Sequence, residues 1–171
     1  LTLRNLPAHE DLLGIGFTAD GLPTVASDWI AEGELTQLSY DRFTAKVRGI
    51  DTIPTLDAPC LSGTGPSLPT LHELIKHTER AILVTNFWYI RTVNPTDLTL
   101  TGMTRDGTFL VENGAIVSAV KNFRFHESPL QVFNRIAAFT NPVEAITSET
   151  GKLLVPAMTL RNFNFSSVTR F

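Results

Sequence analysis

Cysteine is almost missing from this chain. The single residue Cys60 excludes an internal disulfide and any zinc site built from several cysteines, and it fits a reducing, cytoplasmic setting. Charge is also sparse: 18% of residues are charged and the net charge is −3, which leaves no electrostatic case for nucleic-acid binding. Long apolar runs are lacking. The longest candidate, Ala81 to Ile90, is interrupted by Thr85 and Asn86 and is about half the ~20 residues that a membrane-spanning helix needs. There is no charged-then-apolar leader and no initiating Met, which reads as an excised or processed piece of a longer protein. Repeats and low-complexity tracts are absent too. What remains is a globular composition, 43% apolar over 171 residues, enough for one domain or two small subdomains.

Short strands separated by turn chemistry dominate the pattern. Leu1-Thr2-Leu3 opens like a strand. Trp29-Ile30-Ala31, Glu32-Gly33-Glu34 and Leu35-Thr36-Gln37-Leu38 read as a hairpin whose Gly33 supplies a positive φ. Ile82-Leu83-Val84 and Phe87-Trp88-Tyr89-Ile90 predict a longer apolar strand, central in its sheet. Leu98 to Thr101 alternates apolar and polar residues. Arg105-Asp106-Gly107 predicts a turn that sends Thr108 to Val111 back, and Glu112-Asn113-Gly114 predicts another before Ala115-Ile116-Val117. Asp-Gly and Asn-Gly favour such turns because both central residues of a type I′ turn need positive φ. Val143 to Ile146 and Met158 to Phe165 alternate again.

Two amphipathic helices are expected. Thr70 to Arg80 places Leu71, Leu74 and Ile75 on one face, with Thr70 as N-cap and Glu73 in the capping-box position. Ser128 to Phe139 has Pro129 at its first position and Leu130, Phe133, Ile136 and Ala137 on one stripe, and Asn141-Pro142 stops it. The expected class is α+β: predominantly antiparallel sheet in hairpins or a meander, with barrel-like closure as one way to finish it.

The run LVTNFWYIRTVNPTDLTLTGMTRDGTFLVENGAIVSAVKNFRFHES, Leu83 to Ser128, closely resembles the TldD/PmbA ("modulator of DNA gyrase") metallopeptidase family. Asp20-Gly21-Leu22-Pro23-Thr24, Ile30 to Leu35, Tyr40 to Ala45, Val155-Pro156-Ala157-Met158 and Phe163-Asn164-Phe165 resemble further steps of the family pattern, in the right order. The likeness covers nearly all of 1–171 and corresponds to the family's C-terminal domain, with the upstream half absent. It implies a protein whose full-length relatives pair as heterodimers and cleave peptides. One subunit type binds zinc through an upstream His-Glu-x-x-x-His and a Cys near its C-terminus. The other, PmbA/TldE-like type lacks them. Asn141 to Phe165 has no Cys, which resembles the metal-free type.

One string imitates the metal motif. His72-Glu73-Leu74-Ile75-Lys76-His77 matches His-Glu-x-x-x-His. At about 100° per residue, five steps separate the two imidazoles by ~140° on a regular helix, whereas i,i+4 spacing brings two ligands to one face. The apolar stripe also makes this an ordinary amphipathic helix. His72, Glu73 and His77 are therefore not expected to bind metal, and no cofactor or catalytic residue is expected in this chain. His9-Glu10 has no second His in motif range, and His126-Glu127-Ser128 sits at a helix start. Gly14-x-Gly16 and Ser62-Gly63-Thr64-Gly65 lack a phosphate-loop Lys, and no Gly-x-Ser-x-Gly elbow exists.

Tyr89, Arg91 and Arg105 are the candidates for binding a peptide or partner. Strand alternation puts Trp88 and Ile90 on one face and Tyr89 and Arg91 on the other, and an aromatic beside a cation can hold a carboxylate. Packing with a surface Arg, and an Asp106 turn, are the plainer accounts of these residues. The expected role is a supporting domain of a peptidase pair, partnered by a homologous TldD-like subunit or a second copy, with peptide captured at a sheet edge. A catalytic subunit with its metal motif upstream, and a stand-alone interaction module, are the alternatives. No nucleic acid and no membrane are expected as partners.

Overall fold

The structure, a computed structural model, describes residues 1–147 and 151–169. It divides into two compact units: Leu1–Ser67 with Asn141–Ala157, and Leu68–Thr140 with Met158–Phe171. Elements are numbered in chain order through both.

The first unit is a six-stranded sheet. It contains β1 (Thr2–Asn5), β2 (Ser27–Ala31), β3 (Glu34–Leu35), β4 (Pro59–Ser62), β10 (Val143–Thr147) and β11 (Gly151–Val155), in the order β10-β11-β4-β1-β2-β3. All neighbours are antiparallel except β11 and β4. The β2–β3 hairpin turns where expected, with Glu32 at φ 53° and Gly33 at φ 94°. Its apolar core is small: Leu12, Ala58 and Leu154 are buried, with Leu6 and Cys60 packed against them. Burial pushes the Cys60 thiol up, against the pull of nearby Arg4.

Much of the unit's order comes from a polar residue. Asn5 is 1% exposed. Its Nδ2 donates to the Val25 carbonyl at 3.0 Å, and its Oδ1 accepts from the amides of Asp57 (3.1 Å) and Ala58 (2.9 Å). One side chain thereby satisfies three backbone groups on two loops that have no ladder partner there. The short helix α1 (Arg42–Arg48) was not foreseen. Asp41 caps it by accepting from the Thr44 amide at 2.6 Å, and Gly49 ends it in the left-handed region. Only Ala45 of α1 is buried, so it shows no apolar stripe from which to predict it.

The second unit is built on β5 (Arg80–Asn94) and β6 (Thr99–Glu112), a long antiparallel ribbon. Across from β5, β6 also pairs with β7 (Ala115–Ala119) and β8 (Phe123–Glu127), and β8 pairs with β13 (Phe165–Val168). A separate pair joins β9 (Ile136–Phe139) to β12 (Met158–Leu160). Among the described residues no sheet closes into a barrel. The expected central strand, β5, is an edge strand, and β6 is central.

Three further expectations are corrected. Arg105-Asp106-Gly107 does not reverse the chain. Asp106 (φ 61°) and Gly107 (φ 144°) form a bulge inside a continuous β6, two residues opposite the single Thr85. Thr85 Oγ1 donates to the Gly107 carbonyl (3.0 Å) and Asn86 Nδ2 to Asp106 Oδ2 (2.8 Å), which holds the bulge in the ribbon. By contrast, Asn113 (φ 50°) and Gly114 (φ 80°) do make the β6–β7 turn. Next, the helix expected over Ser128 to Phe139 is only α3 (Pro129–Val132) and a 3-10 turn, Phe133–Arg135, before the chain becomes β9. Its stripe is not buried, since Leu130 is 58% and Phe133 41% exposed. Pairing of Ile136–Phe139 with Met158–Leu160 decides the conformation instead. Last, α2 (Leu71–Lys76) begins at its Thr70 cap as expected but stops at His77, short of Arg80.

A cluster of aromatic rings packs around the buried Phe125. Phe87, Phe123, Phe125, Phe163 and Phe165 form a chain of ring contacts with centroids 5.0 to 5.8 Å apart. Gly102 makes room for it: a Cβ there would lie 2.6 Å from Phe125 Cε1 and 3.1 Å from the Trp88 carbonyl oxygen.

Candidate functional site

The distal half of β5 carries the best candidate. Its outer edge pairs with no strand among the described residues, yet it is rich in large apolar side chains. Trp88 is 46%, Tyr89 53%, Ile90 44% and Val93 52% exposed. An unpaired, apolar edge invites another strand.

A bulge organises this edge. Trp88 pairs with Met103 and Arg91 with Thr101, so Tyr89 and Ile90 together oppose Gly102. Tyr89 sits at φ 55°, a left-handed conformation that a bulky residue seldom adopts. The extra residue breaks the alternation. By register Trp88 and Arg91 share a face, the one defined by Met103 and Thr101, which corrects the expected separation of Trp88 from Arg91.

The three expected binding residues fall on this ribbon in two separate stacks. The Arg91 guanidinium lies over the Tyr89 ring, 4.3 Å from its centroid. Arg105, opposite Asn86 on β6, lies over the Trp88 ring at 4.5 Å. Stacking fixes each guanidinium plane while leaving edge N–H groups for an oxyanion. Arg91 spends one N–H on the Ile90 carbonyl (2.8 Å), and Arg105 Nε is 3.3 Å from Asp106 Oδ1.

The His-Glu string is placed differently. Glu73 is paired with Lys76, Nζ to Oε1 at 2.7 Å, and that hydrogen bond holds its carboxyl below the ordinary value against the opposing effect of desolvation. His77 is the α2 C-cap, with Nδ1 2.8 Å from the Glu73 carbonyl oxygen. His77 lines an open cleft of about 670 Å³ together with Arg80 and Arg161, two cations that disfavour a metal ion. Among the described residues no three His, Cys, Asp or Glu gather as metal ligands would.

Sequence reasoning missed a buried ion pair. Glu127, 9% exposed, meets Arg135 Nη2 at 2.6 Å and accepts from the amides of Asn164 (3.0 Å) and Ser128 (3.3 Å). Burial pushes its pKa up, but Arg135 and the two amides outweigh burial and leave it lowered. It joins β8 to the segment before β13 and serves the fold. Its only signal in the sequence was an acid beside a predicted helix start.

Residues 1–167 match the family described as the PmbA/TldA metallopeptidase C-terminal domain. No curated protein matches the chain. Among solved structures, TldE from Thermococcus kodakarensis is similar with a TM-score of 0.78 at 16% identity, over 96% of this chain and 38% of that one. A candidate modulator of DNA gyrase from Bacteroides thetaiotaomicron gives 0.78 at 24% identity, over 98% and 37%. One from Thermotoga maritima gives 0.67 at 19%, over 93% and 38%. At these identities the likeness speaks for the fold. The chain spans a little over a third of the length of these proteins.

Proposed function

Because the chain belongs to the PmbA/TldA metallopeptidase C-terminal domain family, we propose that it is the supporting, metal-free part of a peptidase pair. It shapes a peptide cleft and offers a surface to a homologous TldD-like subunit or a second copy. The observation that carries this reading is the β5 edge, where Tyr89 and Arg91 flank unpaired backbone and exposed apolar side chains and Arg105 on β6 lies over Trp88. Extended peptides bind such edges through main-chain hydrogen bonds, with side chains setting preference.

Two features support the metal-free assignment. Asn141 to Phe165 has no Cys. The His72, Glu73 and His77 groups are spread along α2, with Glu73 engaged by Lys76. Zinc then belongs to the partner subunit, and this chain alone cleaves nothing. We read the protein as cytoplasmic: its one cysteine suits a reducing compartment, and no described helix is long and apolar enough to cross a membrane.

The test is a metal and activity assay. After equilibration with zinc and desalting, mass spectrometry should find far less than one zinc per chain, and an unstructured peptide should stay intact. Mixing with a family subunit that carries His-Glu-x-x-x-His should produce cleavage. One zinc per chain, or cleavage by this chain alone, contradicts the reading.

A further inference from the structure

The register of the second unit's sheet lines up further basic side chains beside Arg91 and Arg105. Arg91, Thr101 and His126 stand side by side across β5, β6 and β8, and Trp88, Met103 and Arg124 form the next row. Arg105 follows Thr101 and Met103 along the same face of β6. Arg91, Arg105, Arg124 and His126 are all exposed. Rows two strands apart span roughly 10 Å, so the four groups share one patch. Among the described residues no carboxylate pairs with Arg91 or Arg124, and Asp106 beside Arg105 is the one acid at the bulge. The sequence segments of this unit hold nine Lys and Arg against six Asp and Glu, while those of the first unit hold five against eleven. A cation-rich face in a chain of net charge −3 is a local feature, not a reflection of composition.

We propose that this face is a docking surface for an acidic polypeptide segment, which adds as a strand to the β5 edge and sets its carboxylates opposite Arg91, while Arg124 and His126, roughly 14 Å away on β8, contribute to the field of the face. The inference rests on the peptide-capturing role above and names the kind of peptide. Opposed residues of neighbouring strands have side chains within roughly 5 Å, so an Asp or Glu opposite Arg91 meets a guanidinium already held over Tyr89. The bulge at Tyr89 and Ile90 sets this up by bringing Trp88 and Arg91 onto the same face. The edge runs on past both residues over fifteen positions, so the match is to a side-chain carboxylate within a passing segment rather than to a chain terminus. Three arginines are also too few for a nucleic acid, whose binding typically neutralises about six to ten phosphates.

The experiment measures binding of labelled extended peptides to the whole chain by fluorescence anisotropy. An Asp/Glu-rich peptide should bind at least tenfold tighter than its Asn/Gln counterpart and weaken as salt rises. Backbone N-methylation at alternate residues, which removes strand pairing, should abolish binding. An R91E/R124E variant with an unchanged circular dichroism spectrum should lose the preference, and R91K should keep part of it. Equal affinity for acidic and neutral peptides overturns the acidic preference and leaves peptide capture standing. Undiminished binding of the N-methylated peptide overturns strand addition. Equal binding of a single-stranded oligonucleotide of the same charge overturns the polypeptide assignment. Failure of every peptide to bind overturns this proposal and the peptide-capturing role together.

Discussion

The first unit packs a small apolar cluster of Leu12, Ala58 and Leu154 and relies on Asn5 to tie two loops to β1. The second stacks five phenylalanines and clears room for them with Gly102. The first is held by hydrogen bonds that only one side chain can make, the second by shape. Their surfaces differ as well. Leu13, Phe17, Phe43 and Val47 are between 68% and 78% exposed on the acid-rich unit, whereas the other presents a strand edge backed by arginines. Each unit holds one of the two tryptophans, Trp29 or Trp88, so single-tryptophan versions can report on them separately.

The largest effect should come from the polar tie. Asn5→Ala leaves the Val25 carbonyl and two amides unpaired, which should destabilise the first unit by about 3 kcal/mol. Urea unfolding followed through Trp29 checks this, and a loss below ~1 kcal/mol would mean that the first unit does not depend on Asn5. Gly102→Ala comes next. Its methyl would press on Phe125 and the Trp88 carbonyl, at about 2 kcal/mol, read through Trp88. Restoration of stability by pairing it with Phe125→Leu would confirm that the conflict is steric.

The Glu127–Arg135 pair adds a pH signature. The folded-state pKa of Glu127 lies below the unfolded value near 4.5. Its contribution is therefore complete above pH ~4.5 and is lost as pH falls through the lower folded-state value. Glu127→Gln should remove roughly 1.5 kcal/mol at neutral pH, less than a fully buried pair because Arg135 is 30% exposed. It should also flatten the acid limb of stability against pH, and an unchanged acid limb would remove Glu127 from this account. The smallest effect is at α2, where Thr70→Ala removes the oxygen that accepts from the Glu73 amide and should cost about 1 kcal/mol.

Much of this was legible from the sequence, for local reasons. The Glu32-Gly33 and Asn113-Gly114 turns were readable because their chemistry is contained in two residues. Asp106-Gly107 carries the same chemistry but sits in a bulge, because a turn and a bulge both use positive φ and only pairing with β5 decides between them. Ile136 to Phe139 followed a helical pattern but took its conformation from the distant strand β12. Tyr89, Arg91 and Arg105 were recognisable as a candidate site by residue type. Their common patch was not, since it depends on a bulge and on β8 bringing Arg124 and His126 into register. Asn5 gave no pattern at all, being one polar residue in a short strand.

Hydrogen exchange probes strand addition at the β5 edge itself. Amide exchange over Arg80–Asn94 should be measured with and without a saturating acidic extended peptide. Alternate, outward-facing amides between Trp88 and Val93 should slow at least tenfold on binding, while β7 amides are unchanged. A bound peptide that leaves β5 exchange untouched, or protects a different element, contradicts it.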